Sequence, residues 1–428
     1  MLRPFRARAF RLYAAGQFVS VTCSWAQVVA LSWIVLRVQP AALGAIVALQ
    51  FVPMLVLAPW FGAVADRMDR RNVLVAAEAT LGVIAVAYAG LALSGRLTIG
   101  WVGVLALAWG IANALDTPAR RALLPELTAP DDATRAAALA GAIMMIGMTA
   151  GSALGGLLVG LAGPSVVFLL NAGSFFADVL VLQTIRASDR VAAPRVPHQS
   201  PSVRAGLLYV SRTPALRHPL ISLAIVGTFA FTFPVTVPLL AGQLFGGSPQ
   251  LVGAFLTATS AGSLAGTLIA ASRSALWPKA QSDAAAIMAL AMGCVALAPT
   301  TAMAVAGLAT MGAAFSVFVI STIDTLRRRT DPTMLGRVMA LFAVLLLGST
   351  PIGGPLAAFV ASSYGVRAAF VMGAAAAAIG AVSVGRRAGK STSVFVSPEA
   401  QADRSHQAPA DVDLSLGSND GSNRLAPL

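Results

Sequence analysis

Charge is scarce in this chain of 428 residues: Asp, Glu, Lys and Arg make up 11%, against about 25% in an ordinary soluble domain. So few charges cannot clothe a water-facing surface, which excludes a soluble globular protein. Cysteine is nearly absent; Cys23 and Cys294 both fall in apolar runs, so no disulfide framework is available. Histidine is equally rare, with His198, His218 and His406 all in polar stretches. With no His–carboxylate pair in an apolar run, no metal-ligand spacing and no phosphate-cradling glycine loop, the chain is expected to be neither an enzyme nor a cofactor or metal binder. Lysine occurs only at Lys279 and Lys390, and the formal net charge of +13 comes from arginines in short loops between apolar runs. There they face anionic headgroups rather than nucleic acid.

What is present is apolar sequence, 57% of the residues, with a mean hydropathy of +0.78. It is gathered into runs near the ~20 residues that carry a helix across ~30 Å of hydrocarbon, not into the alternation of a barrel. Spans are expected near residues 13–36, 43–61, 72–94, 99–115, 136–161 and 164–184, then 219–240, 250–271, 283–298, 302–323, 335–361 and 366–385. The basic start of the chain precedes a long run containing Gln17 and Gln27 with no cleavage signal, so the first run is expected to be kept as a span.

Between the two sets of six lies a stretch rich in Pro, Arg and Ser over 186–217, too polar to span. Within it Val203, Leu207, Leu208 and Val210 recur at near-helical spacing, as in a short amphipathic helix on the membrane surface. After Gly385 the chain turns polar, as a disordered tail does. The expected organisation is a six-helix bundle over 1–185, a linker over 186–217, a second bundle over 218–385 and a tail over 386–428. With the amino terminus in the cytoplasm, nearly every arginine of the inter-span loops falls on the cytoplasmic side, and only Arg37, Arg96 and Arg367 lie opposite. That asymmetry is the positive-inside pattern for an even number of spans with both termini cytoplasmic.

The halves repeat one another. Asp116, Thr117, Arg120 and Arg121 are echoed by Asp324, Thr325, Arg328 and Arg329; Gly155 and Gly156 by Gly353 and Gly354; Gly163 and Phe168 by Gly365 and Phe370. Parallel six-span repeats about an axis along the membrane normal suit a transporter with its site between two bundles.

One turn carries a dense charge pattern: Gly62, Asp66, Arg67, Asp69, Arg70 and Arg71 in an otherwise uncharged region. It resembles the loop signature between the second and third helices of the major facilitator superfamily, with Gly62, Asp66, Arg67, Arg70 and Arg71 at matching positions and Asp69 where that family usually has Gly. The resemblance implies twelve helices in two pseudo-symmetric bundles. It also implies a latch in which Asp66 holds the cytoplasmic side closed near Leu335 and Gly336 in the outward-facing state. Gly147, Gly151, Gly155 and Gly156 of the fifth span look like the glycine-rich motif of antiporters in that superfamily, with Ser152 and Ala153 where its Pro is expected. Small residues at this spacing also let backbones approach closely. Asn113–Leu127, Phe168–Phe175 and the stretch from Val203 to Arg217 resemble the exporter branch that includes enterobactin exporters and macrolide efflux pumps.

Ionisable residues inside spans are costly and therefore functional suspects. Glu78 in the third span and Asp178 in the sixth are the proton-coupling candidates, while the Arg usual in the fourth span of proton antiporters has no counterpart within 99–115. Gln17, Trp25, Gln27, Gln50, Asn113, Asn171, Thr228 and Thr232 are candidates to line a central cavity suited to a bulky amphipathic organic solute. The expectation is a multi-pass protein of the cytoplasmic membrane, a monomeric secondary transporter exporting a small organic molecule in exchange for protons. A lysophospholipid translocator of the same fold and a regulatory protein that has lost transport are the alternatives.

Overall fold

A computed structural model describes residues 3–186, 190, 203–273, 276–277 and 279–388. The expected disordered tail lies outside the described residues beyond Ala388, as does most of the first part of the linker. Met1–Arg386 forms one compact unit.

The described elements are helical. The first half holds α1 (Arg8–Val38), α2 (Leu43–Arg67), α3 (Arg70–Leu93), α4 (Ile99–Leu123), α5 (Ala133–Ala162) and α6 (Pro164–Thr184). After the short α7 (Val203–Arg212) come α8 (Pro214–Phe229), α9 (Phe233–Leu244), α10 (Pro249–Ala271), α11 (Ala280–Ala296) and α12 (Thr301–Arg329). The chain closes with α13 (Leu335–Leu347), α14 (Thr350–Tyr364) and α15 (Val366–Ala388). Counting α8–α9 and α13–α14 each as one broken span, 11 segments are long and apolar enough to cross a membrane. The twelfth, α11, has 17 residues and is apolar but shorter.

Local signals set the boundaries. Asp69, Thr98, Ser248 and Thr300 cap α3, α4, α10 and α12 by accepting a backbone N–H two or three residues on. Gly163 and Gly365 end α5 and α14 at φ 82° and 86°, a conformation side chains with a Cβ avoid, and Pro164 starts α6. The repeat seen in the sequence is therefore a structural one. Phe168 and Phe370, after the two glycines, are both fully buried, and Asp116–Arg120 and Asp324–Arg328 are both i,i+4 ion pairs.

Several spans differ from expectation: α2 and α12 run on to Arg67 and Arg329, and the eleventh is broken between Leu347 and Thr350. The fourth helix does not stop at residue 115 but runs to Leu123, carrying Asp116 and Arg120 inside it. The seventh span is interrupted at Ala230–Thr232, where Pro234 opens α9 and supplies no N–H to continue the ladder of α8.

Contacts between the halves concentrate at the end away from the arginines. A Cβ placed on Gly44 at the start of α2 would lie 2.6 Å from the Gly354 carbonyl oxygen of α14. One on Gly156 of α5 would lie 2.9 Å from Gly253 Cα of α10, and Gly160 leaves room for the Gln250 side chain. At the arginine-rich end Gly62, Gly141 and Gly336 have nothing within 4 Å of such a Cβ. The close backbone approaches between the halves thus lie at the arginine-poor end.

Candidate functional site

Four helices of the first half bring their ionisable residues to one point. Arg120 of α4 pairs with Glu78 of α3, with Asp116 one turn back on α4 at 3.1 Å and with Asp178 of α6 at 3.5 Å. Its guanidinium lies 5.9 Å from the ring centre of Tyr13 on α1, a cation–π distance. Gly16 makes the place for Asp178: any side chain there would meet the carboxylate. Glu78 and Asp178 are each 1% exposed and Asp116 is 8% exposed. Three carboxyl groups thus share one guanidinium, and Glu78 Oε2, Asp178 Oδ1 and Arg120 Nη1 have no hydrogen-bond partner among the described residues. Unpaired buried charge is expensive, so a cluster this short of cations is suited to taking up protons.

The two sequence candidates, Glu78 and Asp178, are therefore brought together. Asp116 and Arg120, which the sequence marks as part of the internal repeat, complete the cluster because α4 continues past the apolar window that ends before them. In the second half Asp324 and Arg328 are an exposed pair, and Gly380 on α15 presents a backbone carbonyl to the Ser222 hydroxyl. The cluster belongs to the first half.

The charged turn between α2 and α3 is tied into its own half. Arg70 donates to Glu126 at 2.7 Å and to the Ala122 carbonyl oxygen; Arg71 donates to the Leu182 and Gln183 carbonyl oxygens at the end of α6. These cations satisfy C-terminal carbonyls that helices leave open. Asp69, in the place of the family's usual Gly, caps α3 and accepts two hydrogen bonds from Arg190 of the linker, at 3.0 and 2.9 Å. Those bonds hold its carboxyl below the ordinary range. Arg67 is exposed, and the Asp66 side chain lies outside the described part of the structure.

Of the cavity candidates, Gln17, Gln27, Asn171 and Thr232 are buried, while Trp25, Gln50, Asn113 and Thr228 are half-buried. Asn171 donates to Gln27 at 2.8 Å, a bond that joins α6 to α1. Gly147, Gly151 and Gly155 face α1, against Val21, Thr22 and Ala26, whereas Gly156 faces α10 of the other half. At mid-depth, beside the break between α8 and α9, Phe231 stacks on Phe315 with ring centres 4.6 Å apart, and Phe233 meets Phe231 edge-on at 4.9 Å.

A sequence profile described as Transmembrane secretion effector matches residues 1–421. The chain is 23% identical to the Staphyloferrin A transporter of Staphylococcus aureus over 60% of its own length and 66% of that protein's. It is 26% identical to an Enterobactin exporter of Shigella boydii, over 71% and 76% of the two chains. It is 24% identical to Macrolide efflux protein A of Streptococcus pyogenes, over 76% and 82%. The match thus spans just under two thirds of the first of these relatives. The fold resembles that of a bacterial homologue of the iron transporter ferroportin in an inward-facing state, with TM-score 0.70 and 14% identity over 89% of this chain and 98% of that one. It also resembles the nucleoside transporter NupG, with TM-score 0.69 and 14% identity over 89% and 98%. A paired set of membrane-length helices, a repeated glycine and charge pattern, and a profile spanning nearly the whole sequence place this chain in the transmembrane secretion effector family of the major facilitator superfamily.

Proposed function

We propose that the protein is a proton-coupled exporter that moves a small amphipathic organic molecule out of the cytoplasm by alternating access. The observation that carries this reading is the cluster of Glu78, Asp116 and Asp178 around the single guanidinium of Arg120, buried where four helices of one half meet. Proton uptake there changes how many carboxylates Arg120 must serve. It therefore changes the packing of α4, the helix adjoining the α2 face that meets the other half.

The positive-inside pattern assigns the arginine-rich end to the cytoplasm, and the close approach of the halves at the opposite end supports reading this state as open inward. Residues 1–185 and 218–385 act as the two moving bodies, in a monomer of the cytoplasmic membrane. In the outward-open state Gly62, Asp66 and Arg67 close on the start of α13 near Gly336. Arg70 and Arg71 hold the turn that presents them. The half-buried Trp25, Gln50, Asn113 and Thr228, with Phe231 and Phe315, offer rings, amides and hydroxyls without charge. Such a lining suits an amphipathic solute. The named cargoes of the relatives, staphyloferrin A, enterobactin and macrolides, are organic molecules of this broad kind.

The test is sensitivity of a deletion strain to a panel of siderophores, antibiotics and dyes, complemented by the wild-type gene, Asp178→Asn or Glu78→Gln. Wild type is expected to restore export that a proton uncoupler abolishes. Each variant is expected to insert in the membrane yet lose most of that export. Export by both variants that stays equally sensitive to pH and uncoupler would remove the cluster from coupling.

A further inference from the structure

Apart from the carboxylate cluster, the arginine-rich end of the first half holds a recess of a different chemistry. The 3-10 turn Arg3–Arg6 packs beside the turns that join α4 to α5, and between them lies a recess of about 290 Å³. That volume is at the lower limit for a ligand pocket and larger than packing voids. Its lining includes Arg3, Arg6, Thr128 and Asp132. Among the described residues neither Arg3 nor Arg6 makes an ion pair or side-chain hydrogen bond, so two guanidinium groups stand over the recess uncommitted. Asp132 is already engaged by Arg135 at 2.8 Å, which leaves the local balance positive. Thr128 is 2% exposed and its hydroxyl has no partner. The amino end of α5 begins beside it, with Asp132 at the cap position making no side-chain capping bond.

The corresponding turn of the second half is built differently. There Thr330 follows α12 as Thr128 follows α4, and α7 lies over the turn, the Tyr209 hydroxyl accepting the Asp331 N–H at 3.3 Å. Thr330 shares the unpartnered hydroxyl, so the first half is distinguished by two free guanidinium groups over an open recess.

We infer that this recess binds a phosphate group, held by Arg3 and Arg6 with the Thr128 hydroxyl as a further donor. Guanidinium forks match phosphate oxygens, and a buried hydroxyl with no partner gains one when an acceptor arrives. The group is carried either by an anionic phospholipid or by a soluble phosphate. The inference does not depend on proton coupling or on the exported solute.

The experiment uses the purified full chain in detergent, titrated separately with short-chain phosphatidylglycerol, short-chain phosphatidylcholine and inorganic phosphate, with thermal unfolding and native mass spectrometry as readouts. Wild type is expected to bind and be stabilised by phosphatidylglycerol, by inorganic phosphate or by both, and more weakly by phosphatidylcholine. Saturation by phosphatidylglycerol alone identifies a lipid headgroup, and competition by inorganic phosphate identifies a soluble source. In Arg3→Ala/Arg6→Ala the apparent affinity is expected to fall about tenfold or more. Thr128→Val separates ligand binding from structure: it is expected to leave or raise the melting temperature of the unliganded protein while weakening the ligand-induced shift. Titrations that are the same in wild type and the double arginine variant, or no response to either phosphate carrier, would overturn the inference.

Discussion

At the scale of single residues, Arg120 holds together a group of acids that would otherwise repel one another. Removing it leaves Glu78, Asp116 and Asp178 without a cation in a nearly water-free place. Breaking such a buried pair typically costs about 3–5 kcal/mol. Arg120→Ala is therefore expected to lower the thermal unfolding midpoint in detergent strongly. Arg120→Lys should fall between, because it keeps the charge and loses the fork that serves three partners. A midpoint unchanged in Arg120→Ala would mean the acids are neutral without it.

Asp69 makes a second residue-level case. Its carboxyl is held below the ordinary aspartate value of about 3.9 by hydrogen bonds from Arg190. A depressed value means that the contact stabilises the folded chain above the ordinary range and is lost as pH falls through the lowered value. Carbon NMR of labelled aspartate is expected to show Asp69 titrating below the free value in wild type and close to it in Arg190→Ala; identical titration in both would dismiss the contact.

At the scale of elements, the interface between the halves is built from small residues that allow backbones to touch. Gly156 on α5 sits against Gly253 on α10, with a Cβ-to-Cα approach of 2.9 Å that no larger residue tolerates unmoved. Gly156→Leu is expected to cost about 1–3 kcal/mol in the state closed at this end, displacing the population toward the alternate state roughly fivefold to a hundredfold. Maleimide labelling of Gly160→Cys, in a background without Cys23 and Cys294, should accordingly accelerate. Unchanged labelling would show that this contact does not set the closed state.

How far such features could be read beforehand follows from their origin. The α6 span was legible to the residue, because Gly163 and Pro164 define its start by local chemistry. The end of α4 was not: Asp116, Arg120 and Arg121 lower the hydropathy of the last turns, while the helix continues because Asp116 and Arg120 are paired inside the protein rather than solvated. The convergence of Glu78 with Asp178 rests on the packing of α3 against α6, a tertiary contact that no spacing along the chain encodes. The break before α9 had a signal in Pro234, but one proline in an apolar run more often only kinks a helix.

At the scale of the whole molecule, the two halves are similar in path and unlike in chemistry. Both carry the aspartate–arginine turn and the positive-φ glycine, yet only the first half buries its aspartate–arginine pair with two further acids. In the proposed mechanism a proton bound in the first half acts on the relation between both, through the contacts of α2 and α5 with α14 and α10. The central claim is that protonation of this cluster rocks the two halves against each other.

Pulsed electron paramagnetic resonance of two spin-label pairs tests it most directly, Arg67→Cys with Gly336→Cys at the arginine-rich end and Gln39→Cys with Tyr364→Cys at the other. In lipid nanodiscs, acidic and alkaline buffers should move the two distances in opposite senses, and Asp178→Asn should abolish the pH response while Asp66→Asn biases it toward the state open at the arginine-rich end. Distances that stay fixed across pH in wild type, or that lengthen and shorten together, would contradict the account.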